Sequence, residues 1–245
     1  MNSTLVTLCR FFLLIILLLA GMFLERTGMM EYLSDPYELW YTVELVKQHM
    51  GMVGVSMAMA TAFGLAVGII FTRPKFERYS GPVMYMVGLG QTIPSLAVIA
   101  LVMSILGIGC KAAVFALFIY SMLPIARNTM AGIKAIPAWM TDAARGMGMS
   151  SMRILFQIEI PNAMDVILTG FRVALVINIG TAALAFLIGA GGLGEHIFIG
   201  IDLMRTDKLL AGAIPTILLA LFADHLCEVL RFWIIPKGLR LQEKA

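Results

Sequence analysis

The chain has 245 residues, of which 60% are hydrophobic and 13% charged, with a mean hydropathy of +0.91 and a formal net charge of +3. Soluble domains carry about 25% charged residues, so this balance excludes an ordinary water-soluble domain. The basic residues are scattered between apolar runs rather than clustered on one face, which sets nucleic-acid binding aside.

Uncharged runs occur at Phe11–Leu24, Met50–Thr72, Tyr79–Cys110, Ala112–Ala126, Val173–Gly194 and Leu209–Ala223. A bilayer core takes about 20 apolar residues per helix, and the shorter runs extend into apolar flanks, so six spans are expected. The first run ends near Ala20-Gly21, as a signal peptide would, but is read as a retained helix. The third is too long for one upright helix and is interrupted by Gln91-Thr92-Ile93-Pro94.

With six spans, twelve of the 18 Lys and Arg residues share one side: Arg10; Arg73, Lys75 and Arg78; Arg127, Lys134, Arg145 and Arg153; Arg231, Lys237, Arg240 and Lys244. The other side receives Arg26, Lys47, Lys111, Arg205 and Lys208, and the loop Glu25–Met50 there carries five acids. Positive charge marks the cytoplasmic side, so both termini and residues 127–162 are expected in the cytoplasm.

Between the fourth and fifth spans lie roughly 35 residues of mixed polarity. Pro137 is expected to open a helix that Ala143 and Ala144 continue and Gly146 and Gly148 end. Ser150 or Ser151 then caps a second short helix running to Pro161. Small residues at such a bend admit another protein's surface, with Met147, Met149 and Met152 as adaptable apolar contacts. A passive anchor in the lipid interface has the same pattern, and composition alone leaves both readings open.

Asp142-Ala143-Ala144, three residues, Gly148, nine residues, Ile158, one residue and Ile160-Pro161 resemble the EAA loop of ATP-binding-cassette (ABC) importer permeases. That motif reads Glu-Ala-Ala, Gly, Ile and Leu-Pro at the same spacing, so Asp142 and Ile160 are conservative departures. The resemblance implies an all-α membrane protein with the type I ABC importer permease fold and cytoplasmic coupling helices. It assigns coupling to an ATPase to Asp142, Ala143, Ala144, Gly146, Met147, Gly148 and Pro161.

Two further stretches are similar to the glycine betaine and osmoprotectant branch. They are Gly90–Ala97 closing at Leu106–Gly109, and Ile177–Ala182 followed by Gly189–Gly194 and Phe198–Gly200. The resemblance covers residues 45–230, which leaves residues 1–44 as an N-terminal span with its outer loop and 231–245 as a cytoplasmic tail. Relatives in this branch carry glycine betaine, choline or carnitine.

Gln91, Thr92, Pro94, Ser95 and Asn178 are candidates for the translocation pathway. Pro94 lacks a donor, and broken helices are tolerated where they line a cavity. Asn178 is polar within the fifth span, where such residues face the bundle interior. Hydrogen bonding between helices without substrate contact is the plainer alternative.

Gly189–Gly194 lacks both the strand and the Lys-Ser/Thr pair of a phosphate loop, and is read as a flexible outer turn. The resemblance places Gly191, Gly192 and Gly194 at an outer gate. His49, His196 and His225 are isolated and expected at membrane boundaries, and Cys9, Cys110 and Cys227 have no metal-ligand spacing.

With no Walker motif, the chain is expected to be a transport subunit rather than an enzyme, with no cofactor or metal of its own. The resemblance implies ABC ATPase subunits binding ATP and Mg2+, a second permease subunit, identical or homologous, an extracytoplasmic solute-binding protein and membrane lipid as partners. The bacterial cytoplasmic (inner) membrane is the expected location. An ion-coupled carrier with inverted repeats, a recruiting scaffold and a permease for another zwitterion or amino acid are the rival readings.

Overall fold

The computed structural model describes residues 21–22 and 25–235. The expected first span falls almost entirely outside the described residues, as does most of the tail. Among the described residues every regular element is helical. α1 (Met29–Ser34) leads into α2 (Pro36–Ile70); α3 (Ser80–Gly90) and α4 (Ser95–Leu106) follow, then α5 (Cys110–Lys134). α6 (Ala138–Gly146), α7 (Ser151–Ile154), a π-helical turn (Leu155–Glu159), α8 (Ile160–Ala182) and a 3-10 segment (Ala183–Ile188) come next, before α9 (Gly194–Asp202) and α10 (Thr206–Ile234).

Four stretches are long and apolar enough to cross a membrane: Pro36–Ile70, Cys110–Lys134, Ser151–Ile188 and Thr206–Ile234. A fifth arises if Glu77–Gly90 and Ser95–Leu106 count as one span bent by 97°. The sharp bend sits at Gln91–Pro94, where the fixed proline ring ends one helix and starts the next.

The acidic stretch is a correction to the expected outer loop. Asp35 accepts hydrogen bonds from the backbone N–H groups of Tyr37 (2.8 Å) and Glu38 (3.2 Å), with Pro36 at the first helical position. Residues 36–50 are therefore the opening turns of α2, ahead of its apolar portion.

α5 is the centre of the bundle, packed against α2 on one side and α8 on the other, with α10 against α8. The core is built from small and flexible side chains, among them Met57, Ala60, Ala113, Ala116 and Ala174. In lipid the hydrophobic effect does not drive helices together, so close backbone approach supplies the dispersion contacts. A Cβ on Gly68 would lie 2.5 Å from Thr129 Cβ, which shows how tightly α2 meets α5.

The fifth span also differs from expectation. The helix opened by Ser150, whose Oγ accepts from Arg153 N–H at 3.4 Å, continues past Pro161 to Ile188. Proline has no N–H for the preceding turn and its ring crowds it. The widened turn at Leu155–Glu159 absorbs that mismatch immediately before Pro161, so the chain bends without stopping.

Candidate functional site: the α6–α7 loop, the bent span and the outer cap

Pro137, with extended backbone, precedes α6. At the far end, Met149 N–H bonds Ala144 C=O (3.1 Å) and Gly148 N–H bonds Arg145 C=O (2.9 Å). This is the Schellman closure, and it places Gly148 at φ +74°, where a Cβ is strained. Gly148 thus sets the backbone of the bend before it makes room for anything else.

Around that bend Asp142, Ala143, Gly146 and Met147 are exposed, Met147 by 73%. Trp139, Met152 and Phe156 add further exposed apolar surface. Ala144 is fully buried and faces the protein, so its role is to seat α6 rather than to meet a partner. Asp142 and Arg145 pair at 3.0 Å on the open surface, an arrangement worth less than about 1 kcal/mol. Both groups are therefore free to exchange partners.

The segment is anchored from behind. Arg73, just past the end of α2, donates to Glu159 in the π turn at 2.5 Å and to Ile69 C=O at 3.2 Å. Lys134 donates to Ser80 Oγ at 2.5 Å and holds the end of α5 to the start of α3. The Arg73–Glu159 pair thereby ties the π turn to the end of α2.

At the bent span, Gln91 is half-buried, Thr92 and Pro94 are exposed, and Ser95 is half-buried. Thr92 Oγ1 donates to Leu89 C=O (2.7 Å), and Gln91 Oε1 accepts from Arg127 of α5 at 3.4 Å. The structure does not bring Asn178 to this group. Asn178 is 0% exposed and donates through Nδ2 to Ser56 Oγ (3.0 Å) and Ser121 Oγ (2.6 Å). One amide thus ties α8 to α2 and α5, the interhelical bonding that polar side chains provide in membranes.

The glycine run 189–194 is not the flexible turn expected of it. Gly189, Gly191 and Gly192 have φ of +73°, +76° and +83°, but Gly192 and Gly194 are buried. Gly192 N–H donates to Gln48 Oε1 (3.3 Å), and Gly109 N–H to Ile188 C=O (2.8 Å). A Cβ on Gly194 would sit 1.8 Å from the Ala183 carbonyl oxygen. Sequence composition cannot show that contact, because it is tertiary.

His49 and His196, expected at membrane boundaries, are both fully buried within the protein. His49 Nε2 donates to Ile179 C=O at 2.9 Å. His196 Nε2 lies 2.9 Å from Thr42 Oγ1, and since Thr42 already donates to Glu38 C=O, the imidazole is the donor. Tyr32 and Tyr41 pack edge-on around His196, with ring centroids at 5.9 and 5.7 Å. Burial and the charge of Lys208 push the His196 pKa down, partly offset by Glu38 and Glu195. Burial, then the bond to Glu38 at 2.5 Å, raises the Tyr32 hydroxyl above the usual phenol range. Glu195 holds the Tyr41 hydroxyl, so two acids of this face secure the two rings. The sequence signal was available: Asp35-Pro36 opens a helix, which puts Glu38, Tyr41 and Thr42 on neighbouring faces.

The described residues thus form a bundle of apolar, membrane-length helices with an exposed, internally capped loop between two of them. Residues 50–235 match the family of binding-protein-dependent transport system inner membrane components, and the chain belongs to that family. It is a multi-pass inner-membrane protein. It is 44% identical over 215 residues to the osmoprotectant import permease protein OsmY of Salmonella typhimurium, covering 88% of this chain and 90% of that one. It is 40% identical to the carnitine transport permease protein OpuCB of Listeria monocytogenes (79% and 88% covered). To the choline transport system permease protein OpuBB of Bacillus subtilis it is 35% identical (80% and 90% covered). Among solved structures, the fold is similar to an inward-facing MetNI methionine ABC transporter, with TM-score 0.72 and 23% identity over 82% of this chain and all of that one.

Proposed function

We propose that this chain forms the membrane passage for a quaternary-ammonium osmoprotectant, of the glycine betaine, carnitine or choline type. The observation that carries the reading is the set of similar permeases, named for the transport of osmoprotectants, carnitine and choline. Two such chains, identical or homologous, enclose the passage. A solute-binding protein delivers substrate from outside, and separate ATPase subunits bind ATP and Mg2+ in the cytoplasm, where both termini of this chain also lie.

Asp142, Ala143, Gly146 and Met147 meet the ATPase, while Ala144, Gly148 and Pro161 shape the segment that carries them. ATP-driven closure of the ATPases draws the two α6–α7 loops together, and the Arg73–Glu159 pair passes that motion to α2. Nucleotide shifts the equilibrium between inward and outward states only through different affinity for the two. Gln91, Thr92, Pro94 and Ser95 line the passage at the bend, and Asn178 holds the three helices around it. Gly191, Gly192 and Gly194 shape the outer gate.

The test is uptake of labelled glycine betaine, carnitine and choline into proteoliposomes holding the permease, its ATPase and its binding protein. Uptake of at least one that requires ATP is expected. ATP-dependent uptake of an amino acid in place of all three would contradict the substrate class, though not the family.

A further inference from the structure

Two arginines of the long apolar helices α8 and α10 are paired with acids. Arg172 of α8 pairs with Asp224 and Glu228 of α10, and Arg231 of α10 with Asp165 of α8 at 2.5 Å. Arg127 lies seven residues before the end of α5 at Lys134, about 10 Å along the helix axis. Among the described residues it has no carboxylate partner. Its polar contact is the 3.4 Å bond to Gln91 Oε1, which leaves four of the five guanidinium N–H donors unused.

The side chain is exposed and reaches the end of α3 through Gln91. Its neighbours on the helix turn the other way: Ala126, Thr129 and Met130 are fully buried. The guanidinium therefore lies at the break of the bent span, beside Gln91. An exposed guanidinium with most of its donors unused, set beside Gln91 at the break of the bent span, is open to an anionic partner.

Resting on the function proposed above, we infer that Arg127 receives the carboxylate of a zwitterionic substrate in the passage, with Gln91 steering the guanidinium. A planar guanidinium holds a carboxylate through two parallel N–H bonds. Glycine betaine and carnitine offer that carboxylate, whereas choline offers a hydroxyl, which cannot accept both bonds as an anion. Arg127 is thus a specificity-determining residue, favouring carboxylate-bearing quaternary ammonium compounds over choline. A lipid headgroup phosphate is the other anion within the same chemistry.

The test measures ATP-dependent uptake of glycine betaine and of choline by the complete reconstituted complex, for wild type, Arg127→Gln and Arg127→Lys. Arg127→Gln is expected to lower the ratio of glycine betaine to choline uptake by at least about tenfold, and Arg127→Lys to restore much of it. Co-purification of the ATPase with each variant confirms that the complex has assembled. An unchanged ratio, or equal loss for both substrates as lipid anchoring would give, overturns the assignment. If wild type carries no quaternary ammonium compound, the osmoprotectant reading itself fails and the assignment falls with it.

Discussion

Gly146→Trp is expected to weaken capture of the ATPase by about a hundredfold or more while leaving the permease folded. Gly146 is exposed at the end of α6, its backbone is not left-handed, and a Cβ there meets nothing within 4 Å. The indole would stand between the bend and any surface seated against it. Gly148 is the less clean position, because its φ of +74° strains any side chain whether or not a partner is present. Asparagine tolerates that conformation better than most residues, so Gly148→Asn should retain much of the binding that Gly148→Trp loses. The measurement is co-purification of tagged permease with its ATPase, beside a thermal melt of the permease alone. Binding by Gly146→Trp as tight as wild type would remove the bend from the interface.

Gly194→Ala is expected to cost about 1–3 kcal/mol of stability, the usual penalty for forcing a methyl group into a filled site. The obstruction is the Ala183 carbonyl, which is backbone and cannot rotate aside as a long side chain would. The 3-10 segment and α9 must separate, and the bond from Gly109 N–H to Ile188 C=O is the adjacent contact at risk. Gly180→Ala is the matched control, since a Cβ there meets nothing within 4 Å. In detergent the apparent melting temperature should fall by about 2–4 °C per kcal/mol for Gly194→Ala and hardly change for Gly180→Ala. Equal melting temperatures would mean that the turn after the fifth span is looser than its packing indicates.

The two glycine results bear on what a sequence can reveal. Gly148 could be placed from its spacing after Asp142-Ala143-Ala144, because a helix C-terminus is a local event with a local signature. The bend at Gln91–Pro94 was legible for the same reason, since proline acts on its own turn. Gly194 was not, because what matters there is a carbonyl eleven residues back that folds against it. Ala144 shows the same limit from the other side. The motif marks it beside Ala143, yet only the packing of α6 on the π turn shows that one faces outward and the other inward.

The polar residues divide in the same way. Asn178 was recognised as an interior group, but its partners Ser56 and Ser121 lie on helices 122 and 57 residues away in the chain. His49 and His196 looked isolated because no second histidine or cysteine stands near them. Their partners are a backbone carbonyl and a threonine hydroxyl, which leave no pattern in composition. The π turn before Pro161 was hidden for a subtler reason. A proline after an apolar helix ordinarily signals an end, and only continuity of α7 through α8 shows that the chain widened one turn instead.

The most direct test of the α6–α7 loop as the seat of the ATPase is site-specific cross-linking in the assembled complex. A single cysteine replaces Met147 in a chain whose Cys9, Cys110 and Cys227 have been changed to serine. A second variant carries its single cysteine at Tyr37, similarly exposed but at the start of α2, the end remote from the π turn. The account predicts that Met147→Cys cross-links to the ATPase in membranes and that Tyr37→Cys does not. A complex that forms normally yet cross-links from Tyr37→Cys, or from neither position, would contradict it.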